Sequence, residues 1–156
     1  ADNGGGVAVL SGWLPLSPNS ALSFFDLSYG VSIVNHFSAG SVDLTEIDTK
    51  EESPALISLT DSQSGVLREP DGISWVTNSI FATADEGDLD GGSRGFTLFN
   101  TDGDVVYSSS NELDHYAVAV GHYPDARSKN KGNEPENVDF ARYGDKDYLF
   151  VASERS

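Results

Sequence analysis

An acidic stretch in the middle of the chain has the spacing of a calcium-binding loop. Glu86, Asp88 and Asp90 alternate with other residues and are followed by Gly91, as in the first half of an EF-hand loop. Position 12 of that template falls on Thr97 and not on Glu, so the EF-hand is incomplete. Carboxylate oxygens suit Ca²⁺, and the spacing predicts a Ca²⁺ site here, with a solvated acidic turn as the alternative.

Arginines are scarce in this chain, and four of them lie inside acidic motifs: Arg68, Arg94, Arg127 and Arg155. Guanidinium groups bind carboxylates and phosphates through paired hydrogen bonds. One hypothesis is that arginines bind an anion such as phosphate while carboxylates hold a metal ion. Its residues are Arg68, Arg94 and Arg127 for the anion, and Glu69, Asp85, Glu86, Asp88, Asp90 and Glu134 for the metal. The alternative is that the same charges are ion pairs that hold neighbouring sheets together.

The sequence contains no recognisable catalytic nucleophile. It has no Gly-x-Ser-x-Gly elbow, no P-loop and no Rossmann fingerprint. Ser93 lies in Gly-Gly-Ser-Arg-Gly without a nearby histidine, and a tight turn explains that motif. The three histidines, His36, His115 and His122, form no zinc-ligand pair. Whether the protein is an enzyme therefore stays open at this stage.

An internal repeat underlies two of the acidic motifs. The heptapeptide EPDGISW at 69–75 recurs as EPENVDF at 134–140, and each copy leads into a second apolar segment that ends in an acid. Short apolar segments rich in Val, Ile, Phe and Tyr, separated by Gly, Asn, Asp and Ser, are typical of strands. A tight turn at Asp102-Gly103 is expected to join two of them as a hairpin, which also accounts for the acidic spacing of 100–104.

The repeat predicts an all-β fold made of β-propeller blades. Four antiparallel strands in about 40 residues make one blade, and a closed ring needs at least four blades. We therefore expect an incomplete ring of two to three blades, with a compact β-sandwich as the alternative. The expected division is an arm at 1–21, a partial blade at 22–67, a full blade at 69–108, a polar insertion loop at 109–133 and the start of another blade at 134–156. Strands are also predicted at 55–59 and 116–120.

Composition narrows the possible partners. The 156 residues carry 25 acids against nine bases, a net charge of −16, which disfavours nucleic acid. No apolar run approaches the roughly 18 residues of a membrane-spanning helix, so we expect none. An incomplete ring would be completed by an additional propeller chain or by self-association.

Six segments together resemble the choice-of-anchor I family of secreted β-propeller proteins. They are REPDGISW at 68–75, ATADEGD at 82–88, GGSRGF at 91–96, GHYPDARS at 121–128, KGNEPE at 131–136 and FVASER at 150–155. Asn137 departs from the family pattern, which usually has Gly there. Family members are several times longer, so we expect this chain to be a central or C-terminal piece.

The resemblance implies an extracellular, periplasmic or cell-surface protein, and it brings a function with it. The family is often labelled alkaline-phosphatase-like and has mesenchyme-specific cell-surface glycoproteins as relatives. The expected function is therefore part of a calcium-binding phosphoesterase that acts on a phosphorylated small molecule. The alternative is a non-catalytic binding or structural module at the cell surface or in the extracellular matrix.

Overall fold

The computed structural model describes residues 6–11, 21–26, 32–87 and 93–156, with side chains given for 35–87 and 93–156. Within these residues the fold is all-β, as the sequence predicts, with one α-helix and one 3-10 turn in addition. The strands are β1 Gly6–Ser11, β2 Ala21–Asp26, β3 Ser32–Ser38, β4 Ser41–Ile47, β5 Asp61–Leu67, β6 Pro70–Trp75, β7 Ile80–Asp85, β8 Gly95–Asn100, β9 Val105–Ser108, β10 Pro135–Tyr143 and β11 Lys146–Ser153. Helix α1 spans Glu112–Val120, and the 3-10 turn spans Asp125–Arg127.

The described strands form four small antiparallel sheets. Their orders are β1-β2-β3, β4-β5, β6-β7-β8-β9 and β10-β11. Within the described ranges no sheet closes into a barrel. Several small antiparallel sheets in sequence order fit the expected fragment of a β-propeller.

The four-stranded sheet β6–β9 has apolar packing on both faces of its central strand β7. On one face Phe81 and Phe99 stack with ring centroids 5.6 Å apart and pack against Phe37 and Ala39. On the other face Ala82 and Ala84 pack against Val138 of β10. Successive side chains of a strand point to opposite faces, so the apolar run of β7 fills two cores at once. The sheet is thus placed between the β3–β4 segment and the β10-β11 sheet.

The two copies of the sequence repeat have matching backbone geometry. In β6 the pairing register shifts between Pro70 and Ile73, and in β10 it shifts between Pro135 and Asn137. In each copy, the main-chain carbonyl oxygen of the glutamate before the first strand accepts a hydrogen bond from the main-chain amide of the glutamate after the second strand. That bond is 3.1 Å from the Glu86 amide to Glu69 and 2.9 Å from the Glu154 amide to Glu134.

The hairpin β8–β9 turns at the predicted dipeptide. Gly103 has φ +98°, and the Oδ1 atom of Asn100 accepts hydrogen bonds from the amides of Asp102 and Asp104, at 3.0 and 2.8 Å. A Cβ atom on Gly103 would lie 2.6 Å from the ring of Phe37. Glycine is therefore required by both the backbone angle and the ring beneath the turn.

Two strand predictions are wrong. Residues 116–120 lie in α1, where acids in the first turn and Gly121 at φ +76° after the last turn stabilise a helix. Residues 55–59 contain no strand, and the partner of β4 is instead β5, whose sequence DSQSGVL is mostly polar. The segment expected to be a polar loop at 109–133 accordingly begins with a helix.

Candidate functional site: a charged cluster at the strand ends

Three carboxylates from the two repeats meet at one end of the sheets. Glu86 follows β7, Glu134 precedes β10 and Glu154 follows β11, and their ligand atoms lie within 4.8 Å of one another. The paired main-chain bonds of the repeat bring them together, because each bond fixes one acid beside the start of the strand pair.

Among the residues that the structure describes, three basic side chains pair with these carboxylates. The shortest contact joins Arg127 Nε to Glu134 Oε1. Lys131 Nζ lies 3.2 Å from Glu86 Oε1 and 3.7 Å from Glu134 Oε2. Arg155 lies 3.7 Å from Glu134 and 2.7 Å from Glu154. We call these six residues the charged cluster; their formal charges sum to zero.

Glu134 is the centre of the charged cluster. Its side chain is 0% exposed, and its main chain has φ +52°. Burial raises the pKa of Glu134, but the hydrogen bond and charge of Arg127 and the charges of Lys131 and Arg155 outweigh burial, and the net pKa is lowered. Glu134 therefore stays ionised as the shared partner of three cations.

Asp85 lies in the interior of the four-stranded sheet and not in the charged cluster. It is 1% exposed, and its two oxygens accept hydrogen bonds from the hydroxyls of Thr83 at 2.7 Å and Thr97 at 2.6 Å. Burial raises the pKa of Asp85 to about 6, although these hydroxyls and the charge of Arg68 act in the opposite direction.

Arg68 is buried beside this carboxylate and binds the neighbouring strands. Its Nη1 atom donates to the carbonyl oxygens of Ala39 at 3.2 Å and Ser41 at 2.6 Å, and its Nε atom donates to the Thr97 hydroxyl at 3.1 Å. Only 6% of the residue is exposed. The guanidinium thus links the β3–β4 connection to β8.

Arg94 is fully buried and ties the helix and the following loop to the sheet. Its Nη1 atom lies 3.2 Å from Asp114 Oδ2, and both side chains are 0% exposed. Nη1 also donates to the carbonyl oxygen of Asp48 at 3.0 Å, and Nη2 donates to that of Ser128 at 2.7 Å. Asp114 accepts a further bond from the amide of Asn133 at 3.1 Å. The pair therefore organises α1 and the segment that leads to Glu134.

The structure separates the residues that the sequence groups as one site. Glu86, Glu134 and Arg127 come together in the charged cluster, whereas Asp85, Arg68 and Arg94 lie inside the molecule. Glu69 adjoins the cluster through its main chain. Asp88 and Asp90, which carry the predicted calcium spacing, lie outside the described residues, so that loop stays a prediction.

Sequence reasoning missed a second set of acids. Asp48, Glu52 and Asp125 have carboxylate oxygens within 4.8 Å of one another. No local spacing indicates this group, because Asp125 is more than 70 residues from the other two. The buried partner Asp114 was also missed, although an acid in the first turn of α1 is a recognisable signal.

Comparison with protein families finds a match for the C-terminal part of the chain. Residues 89–156 match the model of the choice-of-anchor I domain, which confirms the resemblance for this part of the chain. That match relates it to a cell-surface anchoring module and implies a surface or extracellular protein. Comparisons with curated proteins and with solved structures found no match. Among the helices in the described ranges, none has the length and apolar character needed to cross a membrane.

Proposed function

We propose that this chain is part of a non-catalytic, β-propeller-like module of a cell-surface or extracellular protein. In this proposal the charged motif residues join neighbouring sheets, and the module binds a further propeller strand from another chain or a second copy. The division of the chain into blades is part of the same proposal.

The observation that carries this proposal is the burial of two motif arginines, Arg68 and Arg94. Arg68 and Arg94 are 6% and 0% exposed, and their guanidinium groups donate to protein oxygens on several elements. An arginine that binds a substrate needs an accessible guanidinium face. Buried guanidinium groups that bridge strands and loops support a structural role instead.

The ion pairs of the charged cluster support the same conclusion. Among the described residues, Arg127, Lys131 and Arg155 pair with its three carboxylates, so a metal ion would have to displace or compete with three cations. These ion pairs weaken the attraction of Glu86 and Glu134 for Ca²⁺.

A metal-dependent phosphoesterase is the second candidate, and one feature favours it. Arg127 and Arg155 are partly exposed, with 32% and 48% of their side chains accessible, beside a group of carboxylates. Such a mixture of cations and carboxylates can bind a phosphate group, with a metal ion to activate water. This function would need residues that supply a nucleophile or base at the charged cluster.

A double-mutant cycle tests the structural role. We expect Arg94→Met to lower the free energy of unfolding by about 3–5 kcal/mol, because it leaves the Asp114 carboxylate buried without its partner. Adding Asp114→Asn should recover part of that loss, with a coupling of about 1–3 kcal/mol. Urea denaturation followed by circular dichroism measures both quantities. Additive effects of the two substitutions would contradict the proposed pairing.

A phosphatase assay on the purified protein distinguishes the two candidate functions. The structural proposal expects no hydrolysis of p-nitrophenyl phosphate above the buffer rate, with or without added Ca²⁺. Arg127→Gln supplies the decisive comparison, because the Arg127 side chain is partly exposed. Turnover by the wild type that is abolished in a folded Arg127→Gln variant would establish the phosphoesterase and refute the non-catalytic proposal.

A further inference from the structure

A second group of three carboxylates lies away from the charged cluster. It consists of Asp48, which follows β4, Glu52 in the loop after it, and Asp125 at the start of the 3-10 turn. Their carboxylate oxygens lie within 4.8 Å of one another. Asp48 is 1% exposed, and the other two residues are half-buried.

Two oxygens in this group are buried without any hydrogen-bond donor. Glu52 Oε2 and Asp125 Oδ1 each have less than 1 Å² of exposed surface and accept no hydrogen bond. The Asp48 carboxylate, in contrast, accepts bonds from the amides of Lys50 at 3.0 Å and Ser58 at 2.8 Å. Buried polar atoms are nearly always satisfied, so two orphaned oxygens at one place indicate a missing partner.

No basic side chain neutralises the group. Across the described parts of the chain, no lysine, arginine or histidine nitrogen lies within 4.0 Å of these three carboxylates. Lys50 pairs with Asp61 at 3.6 Å, and Arg94 pairs with Asp114 while it donates to the main-chain oxygen of Asp48. The group thus differs from the charged cluster, whose described carboxylates each pair with a basic side chain.

We infer that Asp48, Glu52 and Asp125 form a binding site for a hard divalent cation, with Ca²⁺ as the best match. A cation would accept the unused lone pairs and would relieve the repulsion among three close carboxylates. The donor atoms are oxygens only, without histidine or cysteine, which selects against the softer transition metals. The carboxylates come from irregular segments, and Ca²⁺ tolerates variable coordination better than Mg²⁺ does.

The site would join two connecting segments that lie far apart in the sequence. Asp48 and Glu52 belong to the connection between β4 and β5, and Asp125 belongs to the segment between α1 and β10. That second segment continues into Arg127, Lys131 and Glu134 of the charged cluster. Cation binding would therefore fix the loop that supplies two of the cluster's three bases.

Calcium titration calorimetry on the metal-free full chain tests the inference. We expect saturable binding by the wild type, weakened at least about tenfold by Glu52→Gln or Asp125→Asn, because ligand charge sets affinity at oxygen sites. Glu51→Gln is the matched control, since it removes the same charge from an exposed neighbour outside the group and should bind like the wild type. A second control, Glu154→Gln, removes a carboxylate from the charged cluster and should also leave binding unchanged.

Thermal denaturation provides a second test, because Ca²⁺ should reverse the order of the melting temperatures of the wild type and Glu52→Gln. Without Ca²⁺, Glu52→Gln should melt at the wild-type temperature or above it, because one of three repelling charges is gone. With saturating Ca²⁺, the wild type should melt higher than the variant, because a ligand that binds only the folded state stabilises it. No binding by the wild type, or wild-type affinity in Glu52→Gln and Asp125→Asn, would overturn the inference. Loss of binding in Glu154→Gln alone would place the cation in the charged cluster instead.

Discussion

Asp85 makes the stability of the four-stranded sheet depend on pH. Its folded-state pKa is about 6, above the ordinary value of 3.8, because burial disfavours the carboxylate. The folded state therefore binds more protons than the unfolded state between these two values. The stabilisation from this group is complete below pH 3.8 and is lost as the pH rises through about 6.

Asp85→Asn should flatten this part of the stability profile. The free energy of unfolding contributed by Asp85 is expected to fall by at most about 3 kcal/mol as the pH rises across that window. Urea denaturation between pH 4 and pH 7 measures it, with the exposed Asp71→Asn as control. A slope in Asp85→Asn as steep as that of the wild type would show that Asp85 does not titrate in this range.

Close packing of two elements, β6 and β10, depends on a glycine in the first repeat. A Cβ atom on Gly72 would lie 2.6 Å from Asn137 Cα and 2.9 Å from the carbonyl oxygen of Glu136. These are main-chain atoms that cannot rotate away, so any side chain at position 72 must push the strands apart.

We expect Gly72→Ala to lower the free energy of unfolding by about 1–3 kcal/mol, as overpacking in a close contact does. Gly65→Ala is the comparison, because Gly65 has φ +66° but no atom within 4 Å of an added Cβ. Its cost is therefore that of backbone strain alone, about 1 kcal/mol. Urea denaturation of both variants measures the difference; an equal or smaller loss for Gly72→Ala would mean that the strands adapt without cost.

Element by element, apolar strands were predictable and polar ones were not. Strands such as β7 and β8 have the Val, Ile, Phe and Thr content that the pleated surface favours, and the Asp102-Gly103 turn has a strong local signal. Strand β5 forms because it pairs with β4. The polar residues of β5 do not themselves indicate a strand. Helix α1 ends in the continuous apolar run YAVAV at 116–120, and a short apolar run of this kind resembles a buried strand.

The sites were less predictable than the elements. The repeat aligns Glu134 with Glu69 and Glu154 with Glu86, and the structure brings Glu86, Glu134 and Glu154 together. The sequence did not identify Asp114 as the partner of Arg94, because Asp114 belongs to a helix that the sequence did not predict. It also could not join Asp125 to Asp48, since that contact depends on how two long connections fold over the sheet.

At the scale of the whole molecule, β11 is an edge strand that pairs with β10 alone within the described chain. The sheet β6–β9 has four strands, whereas β10 and β11 form a pair. Tyr148 and Phe150 of β11 are 43% and 51% exposed, and Tyr143 of β10 packs edge-on against both. Exposed aromatic side chains on an edge strand favour pairing with another strand.

We expect the protein to self-associate through this edge, and Phe150→Lys to shift it toward the monomer, because a lysine on an edge strand opposes pairing. Sedimentation velocity over a range of concentrations measures the change. Val106→Lys is the control, since Val106 is equally exposed, at 52%, on the edge strand β9 of another sheet. A wild type that stays monomeric throughout would exclude self-association and leave a separate chain or segment as the partner.

The matching main-chain bonds of the two repeats have a consequence for how the sequence can vary. Each pair of strands is closed by a glutamate carbonyl and a following amide, from Glu69 to Glu86 and from Glu134 to Glu154. Carbonyl and amide groups are common to all residues except for proline's missing N–H, so the closure survives substitution of the side chains around it. Trp75 and Phe140, or Asp85 and Ser153, can therefore differ between the two copies while the strands keep the same geometry. The copies of the repeat can therefore diverge separately, so that each acquires different side chains on the same main-chain arrangement.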